Sequence, residues 1–255
     1  MLLLLNTTKT MDLDVPGLPD MEGSEPVHLD TARKLAQLLS KMTPGQLAEL
    51  MGISDQLAAD THEKFLVWGK ASQPKVPALF GFTGLLFQHL DAPSLTRDHR
   101  LFAARHARIL SGLYGLLNPF DLIEDYRLEM GYKLQVDQFS NLARFWKEPL
   151  TARLNRELAP KEPIISVASQ EYMKALDIKQ LNRPVILPVF KEIRPDGSYK
   201  NAVVHAKRAR GALVRYAIEN RAETPDALMG FSAMGWKAQD DPPESGSWLF
   251  TRPAA

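Results

Sequence analysis

The 255-residue chain contains no cysteine. That excludes disulfides, thiolate metal ligands and cysteine nucleophiles, and it fits a reducing compartment. Charge of one sign is also lacking: 31 Lys and Arg against 30 Asp and Glu leave a formal charge of +1. Affinity for nucleic acid or a membrane surface must therefore come from a local patch. No apolar window approaches the ~20 residues of a membrane span. The opening MLLLLNTTKTMD has no cation before its leucines and turns polar after Leu5, whereas a secretion signal needs a basic start and about 7–15 apolar residues. This stretch reads as a short buried strand ending in a polar loop. The expectation is a soluble, cytoplasmic protein with no membrane partner.

Several chemical signatures are missing as well. Histidines 28, 62, 89, 99, 106 and 205 show neither HxH nor HExxH spacing, so no tightly bound metal is expected. GFTGLLF lacks the Lys-Ser/Thr of a phosphate loop, and no GxGxxG follows a strand. Ser111, Ser166 and Ser169 lack the GxSxG setting of an esterase-type nucleophile. No cofactor is expected, although a nucleotide stays open as a ligand.

What is present is a helical first two thirds and a strand-rich last third. Asp12 to Pro26 reads as an exposed loop. Helices are expected from His28, from Thr43-Pro44, and from Ser54 or Asp55 to about Trp68. Two more are expected over 78–91 and from Arg97 to Leu110. PIISVASQ (163–170) and RPVILPVFKEI (183–193) read as buried strands. The Pro195-Asp-Gly197 turn makes 184–205 a hairpin, and Ala206 to Arg221 a strong helix. Phe231–Trp236 and Ser247–Thr251 read as further strands, joined by the loop DDPPESGS. With Leu2–Leu5 joining the late strands, the fold class is α+β (mixed α/β). It is read as one domain over 1–255, a mixed sheet flanked by helices.

Three segments carry chemistry. In ARILSGLYGLLNPFDLIEDYRLEMGYKL (107–134), Asp121, Asp125, Arg127 and Glu129 stand among apolar residues, where charges must be paired or working. In VVHAKRARGALVRYAIENR (203–221), Lys207, Arg208, Arg210, Arg215 and Arg221 share an arc of about 160° at ~100° per residue. Gly211 lies in that arc, where a phosphate can approach closely, and cations near a helix N-terminus make sense around an anion. The third segment, ELMGISDQLAAD (49–60), has the form of a helix–hairpin–helix, a module whose backbone amides grip a DNA phosphate. Asp55 and Asp60 would repel that phosphate. Each segment also has a plainer reading: a salt-bridged turn, a solvated basic face, and an ordinary helix–turn–helix connection.

LSGLYGLLNPFDLIEDYRLEMG closely resembles the central signature of the YaaA family of bacterial peroxide-stress proteins. VASQEYMKAL resembles its ASxEYxK stretch, AKRARGALVRYAIENR its AKxARG helix, and LAELMGISDQLA its early LmxISdkLA turn. The resemblance spans nearly the whole chain. It implies a cytosolic mixed α/β domain that limits oxidative damage and associates with double-stranded DNA through a helix–hairpin–helix-like element and a positive groove. Among the positions that match the family pattern are Lys9, Thr10, Ser111, Tyr114, Arg127, Glu129, Ser169, Glu171, Tyr172, Lys207, Arg210, Gly211 and Arg215. The chain also departs from the pattern. Asn6 and Thr7 replace a Ser-Pro, and FTGLLFQHL replaces FxGDVYxGL, which puts Leu85, Phe87 and His89 where an acid, a tyrosine and a glycine are usual. Gln170 and His205 depart too. The departures imply a reshaped, more apolar pocket.

Two functions from different classes follow. One is the DNA-associating peroxide-protection protein, with Gly52, Ser54, Arg208 and Arg221 on phosphate. The other is an enzyme for an anionic small molecule bearing phosphate or carboxylate, with Lys9, Tyr114, Arg127, Tyr172 and Lys207 in catalytic roles. Its ligand would lie on Thr10, Ser111, Glu129, Ser169, Arg210 and Arg215. A third reading makes these polar residues an internal network that fixes the fold. The oligomeric state is not legible.

Overall fold

Consecutive leucines are buried on both faces in the middle of a parallel sheet, and Leu2–Asn6 (β1) occupies that position. In the computed structural model, which describes residues 1–15, 18, 22–239 and 246–254, β1 is flanked in parallel by Ala107–Ser111 (β3) and Ile164–Ser166 (β6). Gly115–Leu117 (β4) folds back antiparallel on β3. On the other side β6 is followed by Val185–Ile193 (β7), Ser247–Pro253 (β10) and Lys237–Ala238 (β9). The first two run parallel and β9 antiparallel. Tyr199–Asn201 (β8) closes the expected hairpin against β7. Val76–Pro77 (β2) and Leu122–Ile123 (β5) form a separate ribbon. The architecture is mixed α/β with a mostly parallel sheet.

The helices cover this sheet. Leu29–Ser40 (α1), Pro44–Met51 (α2) and Asp55–Val67 (α3) pack as a group. Thr43 opens α2 with a reciprocal capping box to Gln46, Gly52 ends it in a left-handed conformation (φ 63°), and Ser54 caps α3. Ala78–Gly81 (α4) and Leu85–Leu90 (α5) are two short helices broken at Phe82–Gly84, where one continuous helix was expected. Arg97–His106 (α6), Leu142–Glu157 (α7), Gln170–Met173 (α8) and Val203–Glu219 (α9) complete the set.

Three other expectations are corrected. The helix from Arg97 stops at His106, and Ala107–Leu110 crosses into the sheet because pairing with Leu3–Asn6 outweighs the helical propensity of ARIL. Phe231–Trp236 is not a strand. Its aromatics turn inward on a 3₁₀ turn at Ala233–Gly235, with Phe231 and Trp236 packed edge-on to Phe190. The long helix begins at Val203, so Lys207, Arg208 and Arg210 sit past its first turn rather than at its N-terminus. The DDPPESGS loop (240–247) and the Asp12–Pro26 loop fall partly outside the described residues.

Gly211 also has a different role from the expected one. The space beside it is filled by α5, whose Leu86 carbonyl oxygen would lie 2.0 Å from an added Cβ. The glycine lets two helices touch, and no ligand reaches the backbone there.

Candidate functional site

The chain leaves β1 for β3 on one side and later returns to β6 on the other. Open α/β sheets bind ligands beside such a reversal, outside the carboxyl ends of the strands. A cavity of about 440 Å³ lies there. Its floor is the end of β1 and the loop after it, Asn6 to Thr10, together with Val167 and Ser169 after β6.

The NTTKT segment is held by short polar contacts. Asn6 accepts the Ser169 amide hydrogen on Oδ1 (2.9 Å), tying the two strand tips together. Thr8 Oγ1 accepts the amide hydrogen of Gly84 (3.2 Å), and any Cβ at Gly84 would collide with the Thr8 side chain. Thr83 Oγ1 donates to Thr10 Oγ1 at 3.0 Å. The start of α5 is thereby fixed against the loop, and Leu85 and Leu86 form the apolar wall.

Charges of both signs meet here. Lys9 Nζ pairs with Glu129 Oε2 at 3.0 Å, and the Lys9 side chain is more than half exposed. Tyr132 donates to Glu129 Oε2 (3.3 Å), and burial, followed by the Glu129 charge, pushes the Tyr132 hydroxyl up to about 12. Glu171 Oε1 accepts the Gly131 amide hydrogen at 2.8 Å. Lys207 and Arg210 reach in from α9. Among the described residues neither has a carboxylate partner, and Arg210 Nε is buried without an acceptor. Burial pushes the Arg210 guanidinium below its ordinary value. Tyr172, almost wholly buried, holds its hydroxyl 2.9 Å from Thr7 Oγ1, and burial pushes that hydroxyl up.

Of the residues singled out from sequence, Lys9, Thr10, Glu129, Ser169, Tyr172, Lys207 and Arg210 line this cavity. The others are placed elsewhere. Tyr114 is buried in the core, its hydroxyl accepting the Glu124 amide hydrogen at 3.1 Å. Ser111 is wholly buried beneath the site, bonded to Tyr126. Arg127 braces the loop from behind by donating to the Lys9 carbonyl (3.3 Å). Arg215 donates to the carbonyls of Leu90 and Asp91 and to Ser94 Oγ, and it pairs with Glu219 at 2.7 Å. Arg221 pairs with Asp98 at 3.0 Å, and Arg208 is exposed on the surface. Gly52 and Ser54 shape the turn between α2 and α3, a group that packs on α1 rather than on α9.

The sequence reading did not give site roles to Thr8, Asn6 or Glu171. The signal was local: all three lie inside the quoted NTTKT and SQEYM stretches. The departures from the family pattern also separate by place. Leu85 lines the cavity, but Phe87 packs on Phe82 in the core, and His89 contacts the Leu85 carbonyl through Nδ1. Among the described residues no group of His, Asp and Glu could hold a metal ion, and no helix is long and apolar enough to cross a membrane.

Fold and site together define a mixed α/β protein with a cation-bearing crevice at the strand tips. The model of the family described as "Peroxide stress protein YaaA" matches residues 1–241. A UPF0246 protein of Hahella chejuensis is 39% identical over 256 residues, covering 99% of both chains. UPF0246 proteins of Burkholderia mallei and Burkholderia pseudomallei are 38% identical over 261 residues, covering all of this chain and 99% of theirs. The chain belongs to the YaaA family of peroxide stress proteins.

Proposed function

We propose that this peroxide-stress family member works by holding an anionic small molecule, bearing phosphate or carboxylate, in the cavity at the tips of β1 and β6. The observation that carries the reading is Arg210, partly buried at the cavity wall, with a buried, unpartnered Nε and no carboxylate partner among the described residues. A buried charge is costly unless it is paired, and an anion entering beside Lys207 and Arg210 supplies the partner. The volume is in the range of small-ligand pockets, about 300–1,000 Å³, and would take a nucleotide-sized or smaller molecule. Lys9 serves here as an exposed, Glu129-paired charge at the rim. Nothing desolvates it in the way an amine nucleophile requires.

DNA association is the weaker reading. Arg215 and Arg221 are tied into ion pairs with Asp91, Glu219 and Asp98. The Gly52 turn is flanked by Glu49 and Asp55. What remains for a phosphate backbone is Arg208, with Lys207 at the cavity mouth.

Calorimetric titration with inorganic phosphate tests the proposal directly. The wild-type chain should bind, Arg210→Met should bind at least ~10-fold more weakly, and Arg208→Ala should bind as the wild type does. An Arg208→Ala loss equal to that of Arg210→Met, with duplex-DNA binding that strengthens steeply as salt falls, would favour the surface reading instead.

A further inference from the structure

The cavity carries acids as well as bases, and its two acids are treated differently. Glu129 is answered within the chain: Lys9 Nζ lies 3.0 Å from its Oε2, and Tyr132 donates to the same oxygen. Glu171 has no such answer. Its Oε1 accepts the Gly131 amide hydrogen at 2.8 Å, and among the described residues no cation forms an ion pair with it.

The Glu171 carboxylate is nevertheless held in place. It stands in the first turn of α8, just after β6. A Cβ at residue 131 would lie 2.5 Å from both its Cδ and its Oε1, so the carboxylate rests in the space that a larger residue than Gly131 would fill. Across the same cavity Lys207 and Arg210 reach in from α9, also without a carboxylate partner among the described residues. Opposite charges that line one cavity and form no salt bridge leave a gap for a molecule that carries both signs. Exposed ion pairs are weak largely because two mobile side chains must be held in one geometry. Glu171 is exposed, but the Gly131 amide already holds it, and preorganisation of this kind lowers the cost of binding. A ligand that is negative throughout would instead set an anion against an uncompensated carboxylate, which disfavours it.

We infer that the molecule this cavity takes is zwitterionic, with its phosphate or carboxylate on Lys207 and Arg210 and a protonated amine at its other end on Glu171. The inference rests on the anion-binding reading and narrows it to amine-bearing anions. Gly131 is a positioning residue, acting through the carboxylate it holds.

The test compares phosphates of equal length with and without the amine, by calorimetric titration of the full-length chain. Straight-chain alkyl phosphates of two to six carbons are set against the corresponding aminoalkyl phosphates at neutral pH, where an alkyl amine is protonated. At least one aminoalkyl phosphate should bind about 5-fold more tightly than its alkyl counterpart. Glu171→Gln keeps an acceptor for the Gly131 amide and removes the charge. It should erase that gain while binding the alkyl phosphates at least as tightly as the wild type does. Gly131→Ala gives a second route, since its methyl group displaces the Glu171 carboxylate, and the gain should fall there too. Equal affinities within every pair for the wild type, or a gain that survives in Glu171→Gln, overturns the inference and leaves the anion site standing. A wild-type chain that binds none of these phosphates overturns the anion reading, and the zwitterion falls with it.

Discussion

Arg210 and Arg215 lie on the same helix, and the protein treats them in opposite ways. Arg215 spends its guanidinium on the end of α5, bonding two carbonyls and a serine and pairing with Glu219. Arg210 is partly buried against the cavity, and its Nε is buried without an acceptor. One arginine is a clasp between helices, and the other is the one we propose takes its partner from outside the chain. A row of cations in a sequence carries no sign of this division, because the division is made by what α5 and its following turn place opposite each residue.

The contact between α5 and α9 is what sets the two arginines apart, so breaking it should have the largest effect. Gly211→Ala would drive a methyl group into the Leu86 carbonyl, and backbone cannot yield as a side-chain end does. A loss of about 3 kcal/mol is expected, visible as a lowered midpoint in urea unfolding. An unchanged midpoint would mean that the helices are not in contact at this point.

Arg215→Ala comes next. It strips the hydrogen bonds to Leu90, Asp91 and Ser94 and the Glu219 pair, for an expected loss of about 2 kcal/mol. Phosphate affinity should stay within about 2-fold of wild type, since the residue lies outside the cavity. A large affinity loss without a stability loss would reverse the roles assigned to the two arginines.

Arg252 extends the comparison to a fully paired arginine. It donates through Nε and Nη2 to the buried Glu192, which also accepts from His205 Nδ1 at 2.6 Å, and it stacks over Trp236. Hydrogen bonds from Arg252 first, then from His205, hold the Glu192 carboxyl below its usual range. A depressed folded-state value contributes stability above the unfolded carboxyl range, near pH 4.3, and that stability is lost as pH falls through the lower folded value. Glu192→Gln should therefore unfold more easily at pH 7 by about 1.5 kcal/mol, with the gap to wild type closing in acid. Parallel stability–pH curves for the two proteins would contradict the pairing.

These contrasts also explain what was legible beforehand. The Leu2–Leu5 strand, the capped helices at Thr43 and Ser54 and the 185–201 hairpin are specified by local chemistry, and the structure has them. Ala107–Ser111 was not legible as a strand because its identity comes from pairing with a segment over a hundred residues away. The aromatic 231–236 stretch has β-favouring composition, yet packing on Phe190 and Phe250 decides its form. In the site, Lys9, Tyr172, Lys207 and Arg210 emerged from family resemblance and charge, whereas Tyr114, Ser111 and Arg215 matched the same pattern for structural reasons. A shared motif residue that supports a cavity looks, in sequence, like one that faces it.

The smallest expected stability change is the one that separates the two arginines most sharply. Burial lowers the Arg210 guanidinium from its ordinary value, so the charge it keeps at neutral pH costs folding stability when no anion is bound. Arg210→Met keeps the length and apolar stem but removes the uncompensated charge, and should raise stability by up to about 1 kcal/mol. Phosphate should then act oppositely on the two proteins. It binds the folded wild type and raises its melting temperature by mass action, while the variant's melting temperature stays where it was. A variant less stable than wild type without phosphate would mean that Arg210 already has its partner within the chain, and that it belongs with Arg215 as a clasp.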